Sequence, residues 1–395
     1  MKEAIYFPSL STDYGSFKNH KKLINDLTYR YFTDEYGKFK HPYLLLTAGS
    51  LYKKKTARLD AGLENTLIFG DSGGFQIATG ALKSYPGLKE EIFEWLENNS
   101  DIAMQLDFPP HSFPDSQFQE CLDKTKTNVE WFYENQTGKT NFINVWQNKN
   151  DAQTENWYNT LKDYKFNGWG VAGRKITINS IAKMIIALKK DKDFERKEFK
   201  WWHFLGKTSI YHFFIYGVLQ KNMNLHYPHI TVTTDSSSPS MSAVFGSFYH
   251  SINYKNLSFS TIWFPPGDNK KGIIYEKDEQ IPCTIDCPVC SEITFKNVAE
   301  GRYGHVKGLM SYHNLQMLIK ASKDTNKLCA SHFELLEGLI PRDFYLALKS
   351  LNDLFAADLH DLEKIYHRNL PIYKRVDDLF SDPEKEELID TSLFA

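Results

Sequence analysis

Two groups of residues in this chain have types and spacings that could do chemistry. The first is Cys283, Cys287 and Cys290, spaced C-x3-C-x2-C, with His313 lying 23 positions beyond the last of them. Zn2+ takes four tetrahedral ligands from thiolates and imidazoles, and close cysteines with one distant ligand are a usual structural arrangement. A Cys3His set leaves no open position for water, so the expected zinc is structural. His305 also follows the knuckle and is the alternative fourth ligand. The second group is Asp71, Asp107, Asp235 and Gln147, each closing a short apolar run: TLIFGD, IAMQLD, HITVTTD and NFINVWQ. One aspartate so placed reads as a helix N-cap. Three carboxylates and a carboxamide at four strand ends read as an active site, because such groups move protons and attack electrophiles.

The elements that must position these groups follow from periodicity. Strand-like runs are Tyr43–Thr47, Thr66–Phe69, Ile102–Leu106, Asn141–Trp146, Gly168–Val171, Trp201–Leu205 and His229–Thr233. Between them lie amphipathic patterns such as Tyr85–Asn98 and Ile178–Lys189, with apolar residues three and four apart. Repeated β-α units mean a parallel sheet. Seven units, with an eighth strand expected near Leu257–Phe264, suit a closed α/β (β/α)8 TIM-like barrel over residues 1–264. The strand ends, among them Asp71-Ser72-Gly73-Gly74, Ala172-Gly173-Arg174 and Gly206, then converge on one mouth, where such barrels keep their chemistry. The rhythm breaks at Pro265-Pro266-Gly267, so residues 265–320 are expected to form a zinc-binding insertion. Residues 321–395 are expected to be a helical C-terminal region that completes or caps the barrel.

Composition limits the possible classes. The 395 residues carry 47 Lys+Arg against 49 Asp+Glu, a net charge of −2 with histidines neutral, so any polyanion site must be a local basic patch. Hydrophobic residues make up 42% and aromatics 15%, enough for a large core. No apolar run approaches the roughly 18 residues of a membrane span, and the start MKEAIYFPSLSTDYG does not read as a secretion signal. Five cysteines, three of them within eight positions, are not a disulfide framework; they suit a metal site in a reducing cytoplasm. No GxGxxG or P-loop string is present.

Several of these strings, in this order, resemble the tRNA-guanine transglycosylase family. GDSGGFQ at Gly70–Gln76 resembles its signature loop, AMQLDFPP the segment ending in a base-reading Asp, and WQNKN the strand ending in Gln. GWGVAGR resembles its glycine-rich turn, HFLG the next strand end, and TTDSSS the nucleophile segment. The cysteine cluster with Tyr312–Leu315 (YHNL) resembles its zinc knuckle and distant His. The likeness spans about residues 65 to 320.

The resemblance implies a mechanism and a set of roles. Asp235 would attack C1′ of a guanine nucleotide to form a covalent glycosyl link, and Asp71 would be the general acid/base for departing and incoming bases. Asp107 would accept from guanine N1–H and the exocyclic amine. Gln147 and the Gly173 N–H would donate to O6, Phe75 and Leu205 would sandwich the base, and Ser72 would lie against it. Three departures shift the expected polymer. The knuckle is C-x3-C-x2-C where the family has C-x-C-x2-C, Ala172 replaces the first of two paired glycines, and SSSPSMSAV stands where a basic segment follows the nucleophile in the tRNA enzymes. These features resemble the phage and bacterial branch that exchanges guanine in DNA for a 7-deazaguanine. The implied partners are DNA and a free 7-deazaguanine base, with tRNA as the alternative polymer and a non-catalytic nucleic-acid-binding subunit as a further alternative. A cytoplasmic protein with no membrane partner is expected. Arg174, Lys175 and Lys207, which follow strand ends at the mouth, are the expected phosphate contacts. Further candidates are Lys53–Lys55 with Arg58 and Lys270–Lys271.

Overall fold

Parallel strands covered on both faces must be apolar on both, so they read as continuous hydrophobic runs and not as alternating ones. In a computed structural model of the chain, which describes residues 1–9, 41–110, 113–173, 176–263, 284, 285, 287, 290 and 305–380, such runs form one sheet of eight parallel strands. They are β1 (Ile5–Pro8), β2 (Tyr43–Thr47), β3 (Leu67–Asp71), β4 (Ile102–Met104), β5 (Asn141–Gln147), β6 (Gly168–Ala172), β7 (Trp201–Phe204) and β8 (Thr231–Ser236). Strands β2 to β8 pair in chain order, β8 pairs with β1, and a parallel bridge between Ser9 and Leu45 brings β1 to β2. The result is a nearly closed barrel, consistent with a (β/α)8 TIM-like fold.

Strand parity splits the core in two. Phe7, Leu45, Phe69, Ile102, Met104, Ile143, Val145 and Ala172 form a small buried cluster of their own inside the barrel. The alternate residues, such as Tyr6, Leu44, Ile68, Ala103, Phe142, Trp202 and Val232, join the much larger cluster beneath the helices. The connecting helices are α1 (Gly74–Ala78), α2 (Leu88–Asn99), α3 (Phe118–Asn135), α4 (Asp151–Leu161), α5 (Ile178–Lys190), α6 (Ile210–His226) and α7 (Ser238–Val244). Helix α5 shows why one forms where it does. Thr177 and Ser180 make a reciprocal capping box, apolar Ile181, Ile185 and Leu188 recur at helical spacing, and Lys189 and Lys190 complement the last turn.

The eighth strand is not where the sequence places it. The run near Leu257–Phe264 does form a strand, β10 (Ser258–Trp263), but it pairs antiparallel with β9 (Ser247–Asn253) as a separate hairpin. Residues Ile5–Pro8 take the barrel position instead. Their edge pairs with β8, and Asn326 holds them from outside: the Ala4 N–H donates to its Oδ1, and its Nδ2 donates to the Ala4 carbonyl, both at 3.0 Å.

Asn326 belongs to α8 (His305–Ser331), which packs against α6, α7, β1 and β9 and so occupies the place of the last barrel helix. Helix α8 runs unbroken across residue 320, and its Asn314 also holds the hairpin, accepting from the Tyr249 N–H at 2.8 Å and donating to the Ser247 carbonyl at 2.9 Å. Beyond it, α9 (Arg342–Ala356) and α10 (Leu362–Phe380) pack on α5, with α9 also touching α6. Buried Lys189 locks this contact by donating to the carbonyls of Leu354, Phe355 and Ala357 at 2.9, 2.7 and 2.7 Å, which satisfies the end of α9. No helix among the described residues is long and apolar enough to cross a membrane.

Candidate active site

Parity also decides which polar side chains reach the mouth. Leu67 and Phe69 face the barrel interior, so Asp71 does as well; Ile143 and Val145 carry Gln147 the same way. Asp71 stands beside Thr47 in the register and Asp235 beside Phe7. The fold therefore brings Asp71, Asp107, Gln147 and Asp235 to one end of the barrel.

The turn after β3 is set by its paired glycines. Gly73 has φ +86°, and a Cβ there would lie 2.6 Å from the Gly49 Cα; on Gly74 it would lie 2.3 Å from the Asp107 carbonyl oxygen. A larger residue at Gly73 would push this turn off the segment that follows β2, and one at Gly74 would push it off the segment that follows β4. The same turn lets the Gly73 N–H donate to Asp71 Oδ1 at 3.1 Å, while the Ser72 hydroxyl donates to the Gln105 carbonyl at 3.1 Å. Ser72 thus ties two strand ends together. Gly173, at φ +145°, approaches the Asn148 carbonyl so closely that a Cβ would meet it at 2.2 Å. Ala172 before it has no positive φ. Phe75 is 42% exposed at the start of α1, and Leu205 packs on the interior cluster.

Burial, with smaller contributions from neighbouring charge, raises two of these carboxyl groups. Burial pushes Asp71 up to about 6; the Gly73 N–H opposes the rise and the charge of Asp235 adds to it. Burial pushes Asp107 up to about 7, opposed by the Gln147 hydrogen bond and reinforced by the charge of Asp71. Gln147 Nε2 donates to Asp107 Oδ2 at 2.5 Å, and its buried Oε1 has no hydrogen-bond partner. Carboxyl groups that exchange protons near neutrality are suited to general acid–base work.

A raised folded-state value has a sign that can be measured. The fold disfavours the Asp107 carboxylate, so its contribution to stability is intact below the ordinary value of 3.8 and is lost as pH rises through about 7. Asp107→Asn keeps the oxygen that accepts from Gln147 but carries no charge. It should be more stable than the parent at pH 8 by on the order of 2–4 kcal/mol and no more stable at pH 4. Thermal unfolding at the two pH values reads this directly, and identical melting at pH 8 would sink the electrostatic account.

One residue at the site has no counterpart in the sequence expectations. His203, fully buried on β7, places Nε2 3.1 Å from Asp235 Oδ1 and Nδ1 2.8 Å from Thr233 Oγ1, with its ring stacked on Phe69 at 4.0 Å. The Gly206 N–H donates to the same Oδ1 at 3.0 Å. Lys207 follows, half-buried, and its backbone carbonyl accepts from Tyr216 and Thr234 at 3.0 Å each. Arg58 is engaged elsewhere, ion-paired to Asp101 at 3.0 Å and donating to the carbonyls of Leu63, Glu64 and Thr66. Arg174, Lys175, Lys270, Lys271 and Cys283 lie outside the described residues.

A second cluster, Cys287, Cys290 and His313, is buried together, with ligand atoms all within 4.8 Å of one another, and could hold a metal ion. His313 is set for this by its surroundings. Its Nε2 lies 2.6 Å from the Tyr249 carbonyl, which can only accept, so the proton is on Nε2 and the lone pair of Nδ1 faces Cys290 Sγ at 2.9 Å. The ring also stacks on Phe248 with centroids 3.8 Å apart. Among known proteins, no family model matches the chain and no curated protein matches it.

Proposed function

We propose that the protein is a transglycosylase that exchanges guanine in DNA for a 7-deazaguanine base, such as 7-cyano-7-deazaguanine, through a covalent Asp235–glycosyl intermediate. The observation that carries this reading is the trio of carboxylates at one barrel mouth, with Asp71 under the charge of Asp235 and Asp107 under that of Asp71. The trio divides the labour of base exchange. Asp235, with a side chain 14% exposed, attacks C1′. The C1′–N9 electron pair leaves on guanine, whose proton comes from Asp71. The incoming base gives its proton to Asp71, its nitrogen attacks C1′, and the ester electrons return to Asp235.

Asp107 and Gln147 read the base. Their mutual hydrogen bond opens when guanine enters: the carboxylate then accepts from N1–H and the exocyclic amine, and the Gln147 amide donates to O6 with the Gly173 N–H. Because Asp107 must be ionised to accept twice, guanine should bind about tenfold more tightly at pH 8 than at pH 6. Phe75 and Leu205 cover the two faces of the base. This stacking helps offset the few kcal/mol spent in extruding a nucleotide from duplex DNA. Lys207, Arg174 and Lys175 contact phosphates. Ser238–Val244, neutral where the tRNA enzymes carry a basic segment, favours DNA over tRNA.

Cys287, Cys290 and His313, with Cys283 as the fourth ligand, would hold a zinc ion whose role would be structural. Cys287→Ser should lose about one zinc per chain and lower thermal stability more than turnover. Metal analysis and melting of the variant check this, and wild-type protein with near-zero zinc would overturn it.

Incubating the enzyme with duplex DNA and with tRNA, each with radiolabelled guanine, tests the function. Label in DNA is expected. Label only in tRNA would make the protein a tRNA enzyme, and DNA binding without labelling of either polymer would make it a non-catalytic subunit.

A further inference from the structure

The pairing of Asp235 is lopsided. His203 Nε2 and the Gly206 N–H both point at Oδ1, at 3.1 and 3.0 Å, and no described residue hydrogen-bonds Oδ2. We propose that His203 is a positioning residue: with Gly206 it fixes Oδ1 and thereby selects Oδ2 as the oxygen that attacks C1′. The inference rests on the reading of Asp235 as the nucleophile and goes beyond it by naming the attacking atom and the residue that chooses it.

The geometry determines the direction of each hydrogen bond. An ionised carboxylate only accepts, so the hydrogen on Nε2 faces Asp235 in either charge state of the ring. Thr233 Oγ1, 2.8 Å from Nδ1, and the stacked Phe69 ring hold the imidazole in place. Two donors on one oxygen fix the carboxyl plane and leave the other lone pairs toward the mouth. They also stabilise the carboxylate when it leaves. In the first half-reaction an Oδ2 electron pair forms the bond to C1′ as the C1′–N9 bond breaks toward guanine. In the second, the Oδ2–C1′ bond breaks and its electrons return to a carboxylate whose charge Oδ1 shares with His203 and Gly206. His203 therefore assists ester breakdown more than ester formation.

A histidine that merely fills the core would affect folding without dividing the two half-reactions. The test uses full-length protein, duplex DNA and radiolabelled guanine, with denaturation-stable protein–DNA adduct counted beside turnover. His203→Phe keeps a ring on Phe69 but has no donor. It should lower kcat about 10- to 100-fold, leave KM for guanine within about threefold, and raise the trapped adduct fraction. His203→Gln restores an N–H and should recover most of the loss. Thr233→Val, a milder change, should lower kcat about three- to tenfold in the same direction and serves if the Phe variant does not fold. Independently of activity, the Nε2–H resonance of His203 in 15N-labelled protein should shift in Asp235→Ala. An unchanged kcat in His203→Phe, or in Thr233→Val if the former is unfolded, overturns the proposal, as does an Nε2–H indifferent to Asp235. If Asp235→Ala itself still forms adduct, the nucleophile assignment fails instead, whatever the His203 variants do.

Discussion

On the proposed reaction, Asp235→Asn is expected to abolish base exchange, with turnover lower by about 10^4-fold or more, while the barrel stays folded. The substitution is nearly isosteric, and an Asn carbonyl oxygen can still accept from the Gly206 N–H and from His203, the two donors that hold Oδ1. Little stability should therefore be lost; about 1 kcal/mol is a reasonable ceiling for weakening these bonds. What disappears is the anion. C1′ of the nucleotide develops positive charge as the base departs, and a neutral amide can neither stabilise that charge nor form the ester. DNA binding should persist, because the phosphate contacts assigned to Lys207, Arg174 and Lys175 do not involve Asp235. The measurement is label exchange together with a search for a denaturation-stable adduct. A trapped adduct in the variant would move the nucleophile to another residue.

How much of this was legible in the sequence depends on what each residue's neighbours reveal. Asp71, Asp107, Gln147 and Asp235 stand out because each breaks an apolar run at its end, and all four reach the mouth. His203 was hidden inside such a run. In WWHFL it looks like one more core position, and only parity gives it away: Trp201, His203 and Leu205 share a face, as do Thr231, Thr233 and Asp235 on the neighbouring strand. The first barrel strand was hidden for a different reason. Four residues, Ile5–Pro8, are too few to show a period, whereas Ser258–Trp263 carries a clear strand pattern that its own hairpin partner satisfies. Strand propensity is local, but membership in the barrel is decided by long-range pairing. The interaction among the carboxylates was not legible at all, since it arises from burial and from charges distant in the chain.

Asp71→Asn should separate the two halves of the reaction. Burial and the neighbouring Asp235 charge push Asp71 up to about 6, so near neutral pH both its acid and its base are populated, as a group that gives and then retakes a proton requires. The amide retains an oxygen to accept from the Gly73 N–H, which keeps the turn after β3 in place. It cannot transfer a proton. Guanine can still depart slowly with a proton from water, so adduct should form at a reduced rate. The incoming base, which must lose its proton before its nitrogen can attack, should stall. Turnover is expected to fall about 10^2- to 10^4-fold with the adduct persisting, and the limb of the pH–rate profile near pH 6 should flatten. A folded-state value raised from 3.8 also means that the parent loses stability as pH rises through about 6, so the variant should melt higher than the parent at pH 8 and equally at pH 4. Single-turnover labelling across pH 5 to 9, with melting curves at its ends, reads all of these. Full activity with an unchanged pH limb would remove Asp71 from the chemistry and leave it as the residue that caps its own turn.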